Sequence, residues 1–110
     1  LEDASARLLA GRGDAESAAA GARLARSAAE TYGGLGSVPD AAHAFWLAGR
    51  LHDTLGDVDE AVWNLESAME GFAVVRQRDP RAEVAGLLLD VLRRSGQTAR
   101  AEALAAELTR

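Results

Sequence analysis

The chain has no cysteine, no lysine, only two prolines, and aromatic residues at just 5% of its 110 positions. Without cysteine there are no disulfides and no thiolate chemistry, and the redox compartment is left open. β-Branched residues are sparse, which argues against a sheet. No apolar run reaches the ~18 residues that would span a bilayer, and no signal segment is visible. All twelve basic residues are arginine, which fits high-GC coding, and the net charge is −5. That balance disfavours nucleic acid, whose phosphates repel an acidic surface.

What is present favours helix. Hydrophobic residues make up 48%, much of it alanine, the best helix former. Alanine buries little area, so a core of this composition must come from close approach of helices. The length suits one small domain. A chain that opens at Leu1 without methionine reads as a piece of a longer protein.

Three glycines sit in matching surroundings, at Gly13-Asp14, Gly56-Asp57 and Gly96-Gln97, spaced by 43 and 40 residues. An apolar helix end precedes each (Leu8 and Leu9; Leu51 and Leu55; Leu88 and Leu92). A helical stretch follows each (Ala18 and Ala19; Ala61 and Val62; Ala101). A period near 40 with a glycine turn in its middle predicts a helix–turn–helix unit repeated three times, over roughly 1–36, 37–78 and 79–110. Six helices are expected at about 1–11, 14–31, 39–54, 57–77, 80–94 and 97–109. Gly33-Gly34-Leu35-Gly36 reads as a flexible loop, Ser37-Val38-Pro39-Asp40 as a capping box, and Asp79-Pro80 as an N-cap with proline at N1. Ala41, Phe45, Ala48, His52 and Leu55 share one face of the third expected helix. Val58, Val62, Leu65, Met69 and Phe72 share one face of the fourth.

The segment from Phe45 to Ala68 resembles a tetratricopeptide repeat. The resemblance rests on Phe45, Ala48-Gly49, Leu55-Gly56-Asp57, Glu60-Ala61-Val62, Leu65 and Ala68. It extends more weakly to both ends, through Gly13-Asp14, Ala18, Ala22 and Ala25, and through Leu87-Leu88-Leu89, Gly96 and Ala101. The usual unit of that family is about 34 residues, so the longer spacing here is similar to long repeats of bacterial regulators and signalling proteins. The resemblance implies an all-α, right-handed superhelical stack of three helix–turn–helix repeats. It implies a cytoplasmic scaffold that binds a protein or peptide, without catalytic residues, metal or cofactor. In the family Gly49 and Ala61 would mark the close crossing of the two helices of a repeat.

Other groups with chemical potential have plainer readings. His52-Asp53 spells a base with a carboxylate beside it, but consecutive helical residues do not face each other, and His52 lies on the core stripe. His43 and His52 fall on different faces, which argues against shared metal ligation. Asp57, Asp59 and Glu60 suit the positive end of a helix dipole, and the glycine and distal glutamate of an EF-hand loop are missing. Arg12-Gly13-Asp14 spells an adhesion tripeptide by coincidence with a turn. Gly33-Gly34-Leu35-Gly36 lacks the following Lys-Ser/Thr of a phosphate cradle.

Successive first helices of the resembled family line a concave face. Here that face would carry His43, Trp46, Arg50 and Asp53 from one helix and Glu83, Gly86, Asp90 and Arg93 from the next, with Asp3 and Arg7 extending it. Forty-residue register would set Arg50 beside Asp90, Asp53 beside Arg93, and Trp46 beside Gly86. Trp46 is then the expected anchor for a ligand that is uncharged or of mixed charge. Trp63 marks a second possible interface on the convex side. A self-association module, stacking through an end repeat, is the main alternative. An auxiliary domain of an enzyme is a third reading, opposed by the missing cysteine and lysine and the scattered histidines.

Overall fold

Alanine-rich stretches with no proline beyond the first turn form five helices in the computed structural model, which describes residues 14–109. They are α1 (Asp14–Gly34), α2 (Val38–Leu55), α3 (Val58–Val74), α4 (Arg78–Arg94) and α5 (Thr98–Leu108), and no strand occurs among the described residues. The helix expected at 1–11, with Asp3, Arg7 and the Arg12-Gly13 pair, lies outside the described residues. The other five expected helices all form.

The four turns between these helices share one hydrogen-bond pattern. Each has a residue in the left-handed region, at positions 36, 56, 76 and 96, with φ between 58° and 79°. In each, the next residue's N–H returns to a carbonyl five residues back: Ser37 to Tyr32, Asp57 to His52, Gln77 to Phe72 and Gln97 to Leu92, at 2.8–2.9 Å. The left-handed residue's own N–H bonds three residues back, to Gly33, Asp53, Ala73 and Arg93, at 3.0–3.2 Å. This closure satisfies the carbonyls that a helix end leaves orphaned. The repeating element is thus a helix plus turn of 20 residues, half the period visible in the glycines. Arg76 obscures it, because the other three turns use glycine at this position and the turn after α3 uses arginine.

That regularity corrects several expected boundaries. Gly33 and Gly34 are helical, since Leu35 N–H still reaches the Thr31 carbonyl at 3.1 Å; the turn is only Leu35–Ser37. α3 stops at Val74 instead of 77, where Arg76 turns left-handed. α4 starts at Arg78 with Gln77 as N-cap, so Pro80 is the third helical residue rather than the first. An N–H there has no intrahelical partner in any case, and proline is tolerated. Ser37 is the N-cap of α2, but its hydroxyl donates to Asp40 Oδ2 at 2.6 Å instead of capping a backbone N–H.

Each helix packs chiefly on its neighbours in sequence. Ion pairs between helices join those two apart: Arg26 with Glu60 (α1–α3), Asp53 with Arg94 (α2–α4), and Glu66 with Arg100 (α3–α5). The odd helices therefore lie in one layer and the even ones in the other, and the shortest dimension of 20 Å fits two helix diameters. The core is centred on α3 and α4. Leu65, Phe72, Val84 and Val91 are its largest wholly buried apolar side chains, with Asn64 buried among them. Asn64 Nδ2 donates to the Glu60 carbonyl at 2.7 Å. By contrast α1 buries Ala22, Ala25 and Ala29, and α2 buries Ala41, Ala42, Ala48 and Gly49.

Small residues let α2 and α3 meet closely. A Cβ placed on Gly49 would lie 2.7 Å from Leu65 Cγ, and one on Gly71 would lie 2.9 Å from Ala42 Cβ. The close crossing expected at Gly49 is present, but the residue it meets is Leu65; Ala61 lies one helical turn earlier on the same face.

Candidate functional site

The even-layer face carries the residues expected to line a concave groove. Arg50, Glu83, Asp90 and Arg93 are exposed, as is Gly86, which has open space around it. His43 is exposed yet packs its ring edge on Phe72, with centroids 4.9 Å apart. Trp46 is half-buried; its ring meets Phe72 edge-on at 6.1 Å and His43 at 6.0 Å. Part of the indole therefore belongs to the core, and Phe72 holds both rings in place.

The expected charge pairs do not form. Asp53 accepts two hydrogen bonds from Arg94 Nη2, at 3.0 and 3.1 Å, and Arg94 Nε donates to Asp90 at 2.8 Å. Arg50 and Arg93 make no ion pair among the described residues. Arg94 stands four residues after Asp90, so both occupy one helix face and the guanidinium bridges onward to α2. The hydrogen bonds to Asp53, then to Asp90, raise the Arg94 pKa above its usual value. The i, i+4 spacing of Asp90 and Arg94 is a sequence signal for their own pairing; it does not say which arginine reaches Asp53.

The odd-layer side carries open space. Trp63 is 47% exposed and spans three helices: it meets Phe45 edge-on at 5.6 Å and takes the Arg26 guanidinium over its ring at 4.2 Å. Beside it a cavity of about 390 Å³ runs between α1 and α3 over α2, lined by Val38, Ala42, Phe45, Gly71 and the exposed Val74. A second cavity, of about 470 Å³, runs between α3 and α5 over α4. Met69, Leu88, Leu92 and Leu104 line it, and Glu66 and Arg100, paired at 2.9 Å, stand at its wall. Glu70 lines both cavities. The position of Trp63 in the sequence is compatible with its contacts to neighbouring helices; the cavity beside it leaves no trace in the periodicity.

His52 does not face Asp53. Its Nδ1 lies 3.5 Å from Asp57 Oδ2 across the α2–α3 turn. Asp59 and Glu60 stand in the first turn of α3, after the N-cap Asp57, where negative charge meets the helix dipole. Among the described residues no group of three His, Asp or Glu side chains gathers as metal ligands, and no helix is long and apolar enough to cross a membrane.

No protein-family model, curated protein or solved structure matches this chain.

Proposed function

We propose that this chain is a protein- or peptide-binding module built from helix–turn–helix repeats of the tetratricopeptide type, and part of a larger bacterial regulatory or signalling protein. The 20-residue recurrence of the turns supports the repeat reading. The observation that carries the binding reading is Trp63, half exposed at the edge of an apolar cavity between α1 and α3. Exposed aromatics beside a pocket are the usual anchors of an interface. The preferred surface is therefore the odd layer around Trp63, with the face of His43, Trp46, Arg50, Asp53, Glu83, Asp90 and Arg93 as the competing one.

The test is affinity for a partner captured with the parent protein, followed by tryptophan fluorescence. Trp63→Ala and Val74→Arg are expected to weaken binding by more than about tenfold, while Arg50→Ala and Arg93→Ala leave it unchanged. The reverse pattern would move the site to the even layer. Self-association is supported by a separate observation: Leu24 and Leu35 of the α1 region are 72% and 76% exposed. Light scattering over a concentration series, with Leu24→Arg as the disrupting variant, separates a second copy from a foreign partner.

A further inference from the structure

At the α3–α4 turn a third cavity, of about 360 Å³, is lined by Arg76, Arg78 and Arg81 together with Gln77, Phe72 and Ala73. Three arginines lining one cavity are unexpected in a chain of net charge −5. None of the three pairs with a carboxylate among the described residues; of the other described arginines, Arg26, Arg94 and Arg100 do, and Arg23, Arg50 and Arg93 do not. Acidic residues are at hand in the same stretch of chain: Asp79 and Glu83 lie on α4, both exposed. The Arg81 Nε is buried and has no hydrogen-bond partner. An unmade hydrogen bond to a buried cationic donor is costly, so a small shift of the Arg81 side chain that brings Nε to an acceptor in the cavity would be favoured.

The 20-residue register sharpens the contrast. Arg81 stands where the other described turns place Ala41, Ala61 and Ala101, all buried, and Arg76 stands where they place glycine. Two small residues demanded by the repeat are thus replaced by long cations, and both cations line the same cavity.

We propose that this cavity is an oxyanion site that takes a phosphate monoester, held by Arg76, Arg78 and Arg81. A carboxylate has two oxygens and is matched by a single bidentate arginine; three arginines match the three oxygens and double charge of a phosphate monoester. The first turn of α4 opens at the same place, and its free N–H groups and dipole add to the attraction. A nucleic-acid backbone is the poorer fit, because a long polyanion would run into the acidic residues of an acidic chain. Ala73 and Arg81 also line the cavity between α3 and α5, so a phosphorylated side chain bound here could continue as peptide over Met69 and Leu88. The site does not depend on the Trp63 surface and stands or falls separately from it.

The experiment titrates the ¹⁵N-labelled chain with O-phosphoserine, with a phosphoserine peptide, and with its unphosphorylated form. Saturable shifts are expected at the Nε–H signals of Arg76, Arg78 and Arg81 and at the first-turn amides of α4. Arg78→Gln, at an exposed position, should weaken binding by about tenfold or more. The double variant Arg76→Gly/Arg81→Ala restores the residue types of the sibling turns, so it should stay folded and lose the shifts; Arg50→Gln should keep them. Equal affinity for O-phosphoserine and the phosphopeptide would identify a free phosphate ester as the ligand. Tighter binding of the phosphopeptide would identify a phosphorylated partner. Shifts that never saturate, that sodium chloride reproduces, or that survive in the double variant would overturn the proposal.

Discussion

Helices α2 and α4 occupy the same layer, and they bury themselves in opposite ways. α2 buries Ala41, Ala42, Ala48 and Gly49; α4 buries Val84, Ala85, Leu88, Val91 and Leu92. The first contact gains from nearness, with backbones brought close enough that a Cβ on Gly49 would sit inside Leu65. The second gains from bulk. Forty-residue register makes the inversion explicit: Gly49 corresponds to Leu89, and Trp46 corresponds to Gly86. A helix can thus hold its place among its neighbours either by having almost no side chain at the crossing or by filling the gap with branched ones. The two solutions respond differently to the same mutation.

The largest expected effect is at Gly49. Leu65 is fully buried and cannot swing aside, so Gly49→Leu should destabilise by about 1–3 kcal/mol or more in urea melts. An unharmed variant would mean that the α2–α3 contact does not depend on nearness. Next comes Arg76, the one non-glycine residue with positive φ among those described. Left-handed backbone costs an L-residue roughly 1–2 kcal/mol, and glycine returns part of that to the flexibility of the unfolded chain. Thermal or urea melts of Arg76→Gly should therefore show a gain in stability of about 1 kcal/mol. A loss of stability would show that the side chain itself holds the turn. The smallest effect is at Gly86, exposed in the middle of α4, where an added methyl group would meet nothing within 4 Å. Gly86→Ala should stabilise by about 0.5–1 kcal/mol through helix propensity alone. Opposite signs at Gly49 and Gly86 would confirm the contrast; equal signs would dissolve it.

Much of the fold is legible along the chain because its signals are local. The stripe Val58, Val62, Leu65, Met69 and Phe72 follows from helical periodicity, and all but the half-buried Val58 are buried. Gly56 and Gly96 announce their turns through the backbone freedom a left-handed residue needs. Where a turn lacks that signal, at Arg76, periodicity alone carries the helix three residues too far. Where glycine is plentiful, at Gly33 and Gly34, composition suggests a loop although the helix continues. The candidate site is less legible. Asp53 does pair with an arginine of α4, but Arg93 and Arg94 differ by a rotation of about 100° that only the packed helices resolve.

The sequence by itself determined that this protein is helical, where most of its reversals fall, and that alanine and glycine would draw helices together. These depend on interactions within a few residues and on backbone sterics. The tertiary structure alone decided that Leu65 is what meets Gly49, that Arg94 bridges the even layer, and that Trp63 stands over open space. Each of these depends on how one helix is rotated and displaced against another, and that is set by the sum of many contacts across the core, no single one of which is visible along the chain.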